Sequence, residues 1–408
     1  MQCKQGPQRV ANSNCELAQK GAGLVVQQVL AHGQTCSKTN LVRRLGGAAA
    51  FATELDAGRW QPKRASVGCK ADDSRIPKTR RTTVKAIRAH SFGGPEVLQQ
   101  ETVDDPIPGP GEVVVDVRAA GVNPADTYMR SGTYAIVPKL PYIPGGDAGG
   151  VIAAIGPDVT QHRAGDRVFV GMALSFDLTG CYAEKVKRKA SEVLSLPAGV
   201  SFAQAATFGV SYPTAHYALF ERGGAKAGET VFIHGASGSV GSSAIQLAKR
   251  AGLTVIGSAG TSQGLKLVRA EGADAAVNHS EEGYMDEVRH RTHGKGPELI
   301  LEMLANVNLA ADMDLAAKYG RIMVIGNRGE ISVNPRVAMM KELDIRGVAL
   351  WNATAVQMKP IVLDILAGVA EGLLRPVIGR EMRLSEAAAA HIAVLERGIG
   401  GKIVLIPR

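Results

Sequence analysis

The segment Val231-Phe232-Ile233-His234, running into Gly235-Ala236-Ser237-Gly238-Ser239-Val240-Gly241, constrains this chain more than any other. Its apolar start reads as a buried strand, its glycines as a tight turn, and 240–251 as an amphipathic helix, with a second strand over 254–258. That order leaves bare backbone N–H groups at a helix N-terminus, where a pyrophosphate binds, and the last glycine lets helix and strand pack closely. A glycine-rich string alone says little. Strand, loop, helix and strand in order predict a dinucleotide site rather than a structural turn. An NAD-preferring site would place an acid at the end of the second strand to hold the ribose hydroxyls. Here that position reads Ser258-Ala259-Gly260-Thr261-Ser262-Gln263, and the next acid is Glu271. NADP is therefore favoured, with Lys266 and His279 as candidates for its extra phosphate. The competing readings are a solvated helix face for Lys266 and a loop surface residue for His279.

The pattern around this motif repeats. Strands are expected over 275–278, 299–302 and 322–325, with helices around Leu265, Met285 and Leu309 between them, a βαβαβ series and hence a parallel sheet. Ahead of it, 84–90, 112–119, 168–170 and 182–186 read as short strands among Gly- and Pro-rich turns, a β-rich, barrel-like region. From Leu343 the chain returns to strand, then a helix over 358–371 and a last strand over 402–406. The expected class is α/β, divided as 84–206, 207–344 and 345–408 after an N-terminal extension, 1–83.

The net charge of +9 over 408 residues hints at nucleic acid until it is located. Residues 1–83 hold 14 Lys and Arg against five Asp and Glu, which accounts for all of it, so the remainder is neutral. A neutral body with 4% aromatic residues offers neither a counterion-release surface nor stacking platforms, and nucleic acid is not the expected partner. Four of five cysteines (Cys3, Cys15, Cys36, Cys69) lie in the basic segment without metal-site or disulfide-framework spacing, leaving Cys181 as a small buried residue in a reducing compartment. No apolar run is long enough to span a membrane. The Arg-rich segment 1–83 reads either as a mitochondrial or plastid transit peptide or as a disordered tail, and the body as cytoplasmic unless it is targeted.

Several stretches together resemble the zeta-crystallin-like NADPH quinone oxidoreductases, the zinc-independent branch of the medium-chain dehydrogenase/reductase superfamily. They are Gly93-Gly94-Pro95-Glu96-Val97-Leu98, Gly121-Val122-Asn123-Pro124, Arg130-Ser131-Gly132-Thr133-Tyr134, the 235–241 loop, Glu302-Met303-Leu304-Ala305-Asn306-Val307-Asn308-Leu309 and Pro376-Val377-Ile378-Gly379. One departure is Ser239, where the family usually carries a second glycine. The resemblance implies a Rossmann domain inserted in a GroES-like catalytic domain, and a homodimer or homotetramer. It also implies that the Cys, His and Cys zinc ligands of metal-dependent relatives are replaced by Asn123, Gly146 and Val210, none of them a zinc ligand. Without a Lewis acid the acceptor must take a hydride unaided, as a quinone or an activated enone does. By resemblance Asn123, Tyr128 and Tyr134 line the substrate cleft. Cofactor contacts are implied at Tyr128, Ser237, Gly238, Ser239, Val240, Gly241, Gly260, His279, Asn308, Ile325, Gly326, Asn327, Arg328, Val348, Ala349 and Leu350. The expected activity is NADPH-dependent quinone reduction by electron or hydride transfer. The alternatives are reduction of the carbon-carbon double bond of enones and enals, and a non-catalytic NADPH-binding role.

Overall fold

The chain forms fifteen strands within the described residues: β1 (Thr83–Ala89), β2 (Leu98–Asp104), β3 (Glu112–Val122), β4 (Asp147–Ile155), β5 (Arg167–Gly171), β6 (Lys185–Lys189), β7 (Val193–Ser195), β8 (Thr230–Ile233), β9 (Thr254–Ala259), β10 (Ala275–Asn278), β11 (Leu299–Glu302), β12 (Arg321–Val324), β13 (Asp344–Gly347), β14 (Ile378–Arg383) and β15 (Lys402–Ile406). The computed structural model describes residues 82–407, so the reading of 1–83 as an extension lies almost wholly outside them.

Six strands form a parallel sheet in the order β10-β9-β8-β11-β12-β13. Helices cover both faces of such a sheet, so its strands are apolar on both sides. Val231, Ile233, Val255, Leu299, Leu301 and Met323 enter one core. Phe232, Ile256, Ile300 and Ile322 alternate with them into the core on the opposite face. The strand order reverses between β8 and β11, the crevice at which ligands bind in open sheets of this kind.

The other large sheet runs β14-β15-β3-β4-β5-β7, with β6 paired to β3, and it closes over its own core of Val113, Val115, Val117, Ile152, Val168, Val170 and Leu405. All of its neighbours are antiparallel except β14 and β15. The last strand therefore lies beside β3, with Ile403 opposite Val122, and this pairing brings the C-terminal segment to Asn123.

Three elements differ from the sequence expectation. Within the Gly- and Pro-rich stretch 141–156, where no strand is expected, β4 forms, and its glycines serve close approach: a Cβ on Gly149 would stand 2.5 Å from the Phe202 carbonyl oxygen and one on Gly150 2.3 Å from that of Asp116. The strand expected over 182–186 forms instead as β6, where Val186 is buried and the other four positions are charged. The helix expected from 358 starts at Ala355, because the Thr354 hydroxyl accepts the Gln357 N–H and the Gln357 side chain accepts the Thr354 N–H.

Candidate active site

Because the six strands are parallel, their C-terminal ends share one edge of the sheet. That edge gathers the loop Gly235–Gly241 after β8, Ser258–Gly260 at the end of β9, His279 after β10, Ile325–Arg328 after β12 and Val348–Leu350 after β13. The 12-residue helix Ser239–Arg250 begins there with Gly238 as its N-cap. The Ala236 N–H donates to Ser258 O at 2.8 Å and the Gly238 N–H to Gly235 O at 2.9 Å, so the loop is folded back on itself. Gly241 allows this closeness: a Cβ there would meet Gly235 O at 2.5 Å and Ala236 Cα at 2.6 Å. The Ser239 hydroxyl is turned away to donate to Ser211 Oγ at 2.7 Å.

No acid stands among residues 258–263 at the end of β9. His279 lies against Gly260, whose missing Cβ would stand 2.6 Å from His279 Nε2, while His279 Nδ1 is 3.2 Å from Ser258 Oγ. If Ser258 donates to Nδ1, Nε2 carries the proton and can donate to an anion. Burial, helped by His234 and Arg397, depresses the imidazole below its ordinary value, so it acts as a neutral donor at pH 7. Lys266, in the helix Ser262–Ala270, is exposed.

Asn123 is the N-cap of the helix Pro124–Ser131, and its backbone N–H donates to Asp126 Oδ2 at 2.9 Å. Its side-chain amide is 3% exposed. Nδ2 donates to Asp147 Oδ2 at 3.0 Å, and Oδ1 accepts from Lys402 Nζ at 2.5 Å. Tyr128, on the same helix, accepts from Arg328 Nε at 3.2 Å, a contact joining the helix after β3 to the loop after β12. The Tyr128 and Tyr134 rings lie 6.1 Å apart, and Tyr134 meets Trp351 edge-on at 4.9 Å. Burial holds the Tyr134 hydroxyl protonated well above the usual tyrosine range. Asp126 is itself pushed up to about 7, chiefly by burial.

A second group of titratable residues lies beneath the loop. His234 Nε2 is 2.7 Å from Asp312 Oδ1 and 3.3 Å from Glu302 Oε2, and all three residues are buried. Asn308 is anchored here, donating to Glu302 Oε1 at 3.1 Å. Burial raises both carboxyls and depresses the histidine, so protons are shared within a nearly neutral cluster.

This geometry can be set beside known proteins. Residues 109–210 match the alcohol dehydrogenase GroES-like domain, and residues 239–367 the zinc-binding dehydrogenase family. The quinone oxidoreductases of Sus scrofa and Homo sapiens are 44% and 42% identical over 325 residues, covering 79% of this chain and 98% of theirs. The chain belongs to the quinone oxidoreductase family. The solved quinone oxidoreductase of Escherichia coli, complexed with NADPH, is similar at a TM-score of 0.72 and 29% identity, covering 79% of this chain and all of that one.

Asn123, Gly146 and Val210, which the resemblance sets at the zinc-ligand positions of metal-dependent relatives, do not fit the metal. Asn123 Oδ1 is held by an ammonium group, a Cβ on Gly146 would face Leu178, and Val210 packs against the core. The glycine cradle does fit a pyrophosphate, and the acid-free end of β9 fits a 2′-phosphate. Sequence reasoning missed Lys402, Asp147, Ser211 and Trp351. Trp351 had a signal, being one of two tryptophans in an aromatic-poor chain. Asp147, after the Gly145-Gly146 pair, had a weak one. Lys402 and Ser211 had none, since nothing local marks a lysine as buried. Cys181 is buried as expected, and burial raises its thiol to about 12, which leaves it unreactive at neutral pH.

Proposed function

We propose that the chain reduces quinones with NADPH, without a metal ion, in the cleft between the phosphate loop and the Tyr128–Tyr134–Trp351 aromatic group. The observation that carries this reading is that aromatic group, set beside a cofactor edge with amide and phenol donors. A flat conjugated acceptor suits such rings, and it needs no Lewis acid to accept reducing equivalents. NADPH, when bound, supplies the reducing equivalents.

The residues proposed to hold it are Ser237, Gly238, Ser239, Val240 and Gly241 through the loop and helix N-terminus, with Gly260, Lys266 and His279 at the 2′-phosphate. Asn308, Ile325, Gly326, Asn327, Arg328, Val348, Ala349 and Leu350 line the remainder of the edge. Asn123, Tyr128 and Tyr134 are proposed as catalytic. As negative charge develops on the quinone oxygen, the Tyr128 and Tyr134 hydroxyls and the Asn123 amide would donate to it, preorganised by the contacts above. The domain limits 84–206, 207–344 and 345–408 are proposed with this division of labour.

The test is NADPH consumption with 1,2-naphthoquinone or 9,10-phenanthrenequinone in the presence of a chelator. Turnover that survives chelation supports the reading. Turnover of enones but not quinones would reassign the substrate. We further propose a homodimer or homotetramer formed through the cofactor domain, where β13 ends the sheet with Ile345 exposed, to be checked by sedimentation equilibrium. A cytoplasmic body, or one directed to an organelle by residues 1–83, is checked by fusing that segment to a fluorescent protein. Among the described residues no helix is long and apolar enough to cross a membrane.

A further inference from the structure

Lysine is almost never fully buried unless its charge is paired. Lys402 is 1% exposed, at the first position of β15. Its Nζ donates to Asn123 Oδ1 at 2.5 Å, to Asp147 Oδ2 at 3.1 Å and to Ser211 Oγ at 3.4 Å, so each of its three protons has an acceptor. Asp147 is fully buried; burial raises its carboxyl, while Lys402 and the Asn123 amide pull the other way.

The Asn123 amide is thereby clamped between a group that can only donate and a carboxylate that accepts. Rotating it by half a turn would set its N–H against the ammonium and its oxygen against the carboxylate. One orientation remains, in which Nδ2 spends one hydrogen on Asp147 and keeps the other as a free donor. The same lysine lies against the cofactor loop. Ser211 Oγ, which accepts from Lys402, also accepts from Ser239 at 2.7 Å, and the neighbouring Gly401 N–H donates to Ser237 O at 2.8 Å.

We propose that Lys402 is a positioning residue of the quinone reduction: with Asp147 it fixes the Asn123 amide so that its free N–H serves the acceptor oxygen, and through Ser211 it ties that orientation to the phosphate loop. This rests on the functional reading above. A merely structural ion pair would affect folding but not turnover per folded site, and the experiment separates the two.

The full-length protein is compared with Lys402→Met, Lys402→Gln and the doubly substituted Lys402→Met/Asp147→Asn. Turnover of 1,2-naphthoquinone is expressed per NADPH-binding site from a fluorescence titration, alongside the Tm of each variant. The double variant removes both charges and should recover much of the Tm lost in Lys402→Met. Its kcat should remain at least tenfold below wild type while its NADPH Kd stays within about threefold. Lys402→Gln, which keeps a donor for Asn123 Oδ1, should retain several-fold more kcat than Lys402→Met. In an Asn123→Ala background the double substitution should change kcat less than twofold, because Lys402 acts through Asn123. Recovery of kcat together with Tm, equal kcat in the Gln and Met variants, or losses that multiply in the Asn123→Ala background would each overturn the proposal. Wild-type protein that turns over no quinone would instead sink the functional reading, and this inference with it.

Discussion

Replacing Gly241 by alanine tests whether the loop is a phosphate cradle built on close backbone approach. The added Cβ would lie 2.5 Å from Gly235 O, 2.6 Å from Ala236 Cα and 2.8 Å from Ala236 C. All three are backbone atoms, and ordinary contact is about 3.5–4.0 Å, so the loop must move by roughly 1 Å. Overpacking of this kind costs about 1–3 kcal/mol. A shift that size also strains the 2.8 Å bond from Ala236 N–H to Ser258 O and the 2.9 Å bond from Gly238 N–H to Gly235 O, at about 1 kcal/mol each. The sum, about 3–5 kcal/mol, predicts a fall in Tm of roughly 4–7 °C for a body of this size. Displacing one amide from a charged phosphate weakens binding by about 10- to 100-fold. Gly238→Ala is the control. Its Cβ would meet only Gly235 O, at 3.3 Å, and otherwise faces open space where the pyrophosphate is proposed. Tm should hold within about 2 °C while the NADPH Kd rises about tenfold or more. Differential scanning fluorimetry and nucleotide-fluorescence titration give both quantities. A Gly241→Ala protein with wild-type Tm, or a Gly238→Ala protein with wild-type NADPH affinity, would refute the cradle.

Other outcomes follow from the same structure. Lys266→Ala should weaken NADPH about two- to fivefold, as expected for an exposed charge, and His279→Ala further, while NADH affinity is unchanged by either; parallel titrations with the two nucleotides decide. Tyr128→Phe should lower kcat about tenfold or more with little change in NADPH Kd, and steady-state kinetics with a quinone would expose any equal activity. For Asp126, the folded protein holds the proton up to about pH 7 whereas the unfolded chain releases it near 3.8, so stability is full below the lower value and falls as pH rises to the upper one. The span corresponds to on the order of 4 kcal/mol, and Asp126→Asn should remove it. The variant should then gain stability relative to wild type between pH 5 and 8 in urea unfolding; a difference that does not grow with pH speaks against a buried neutral carboxyl.

The nucleotide half of this protein was legible because its signals are local. A strand such as β11, covered on both faces, must be a run of apolar residues, and a turn that admits a phosphate must carry glycine; both leave marks within ten residues. Parallel topology then places every strand end on one edge, which gives Ile325, Gly326 and Asn327 a reason to share a surface with the 235–241 loop, whereas Gly260 and Arg328 are implied there by the family resemblance. The catalytic half was less legible, because the glycines of β4 look like breakers until their neighbours show that a side chain would collide.

What the sequence by itself determined is the order of elements, the glycine loop and the missing acid after β9, each a property of residues near one another in the chain. What only the tertiary structure decided is the polar group around Asn123, where Asp147, Ser211 and Lys402 converge from separate segments. Lys402 is 279 residues from Asn123 along the chain. The physical reason is that burial and pairing are set by the insertion of β15 beside β3, and no local pattern distinguishes a lysine that will lose its water from one that will keep it.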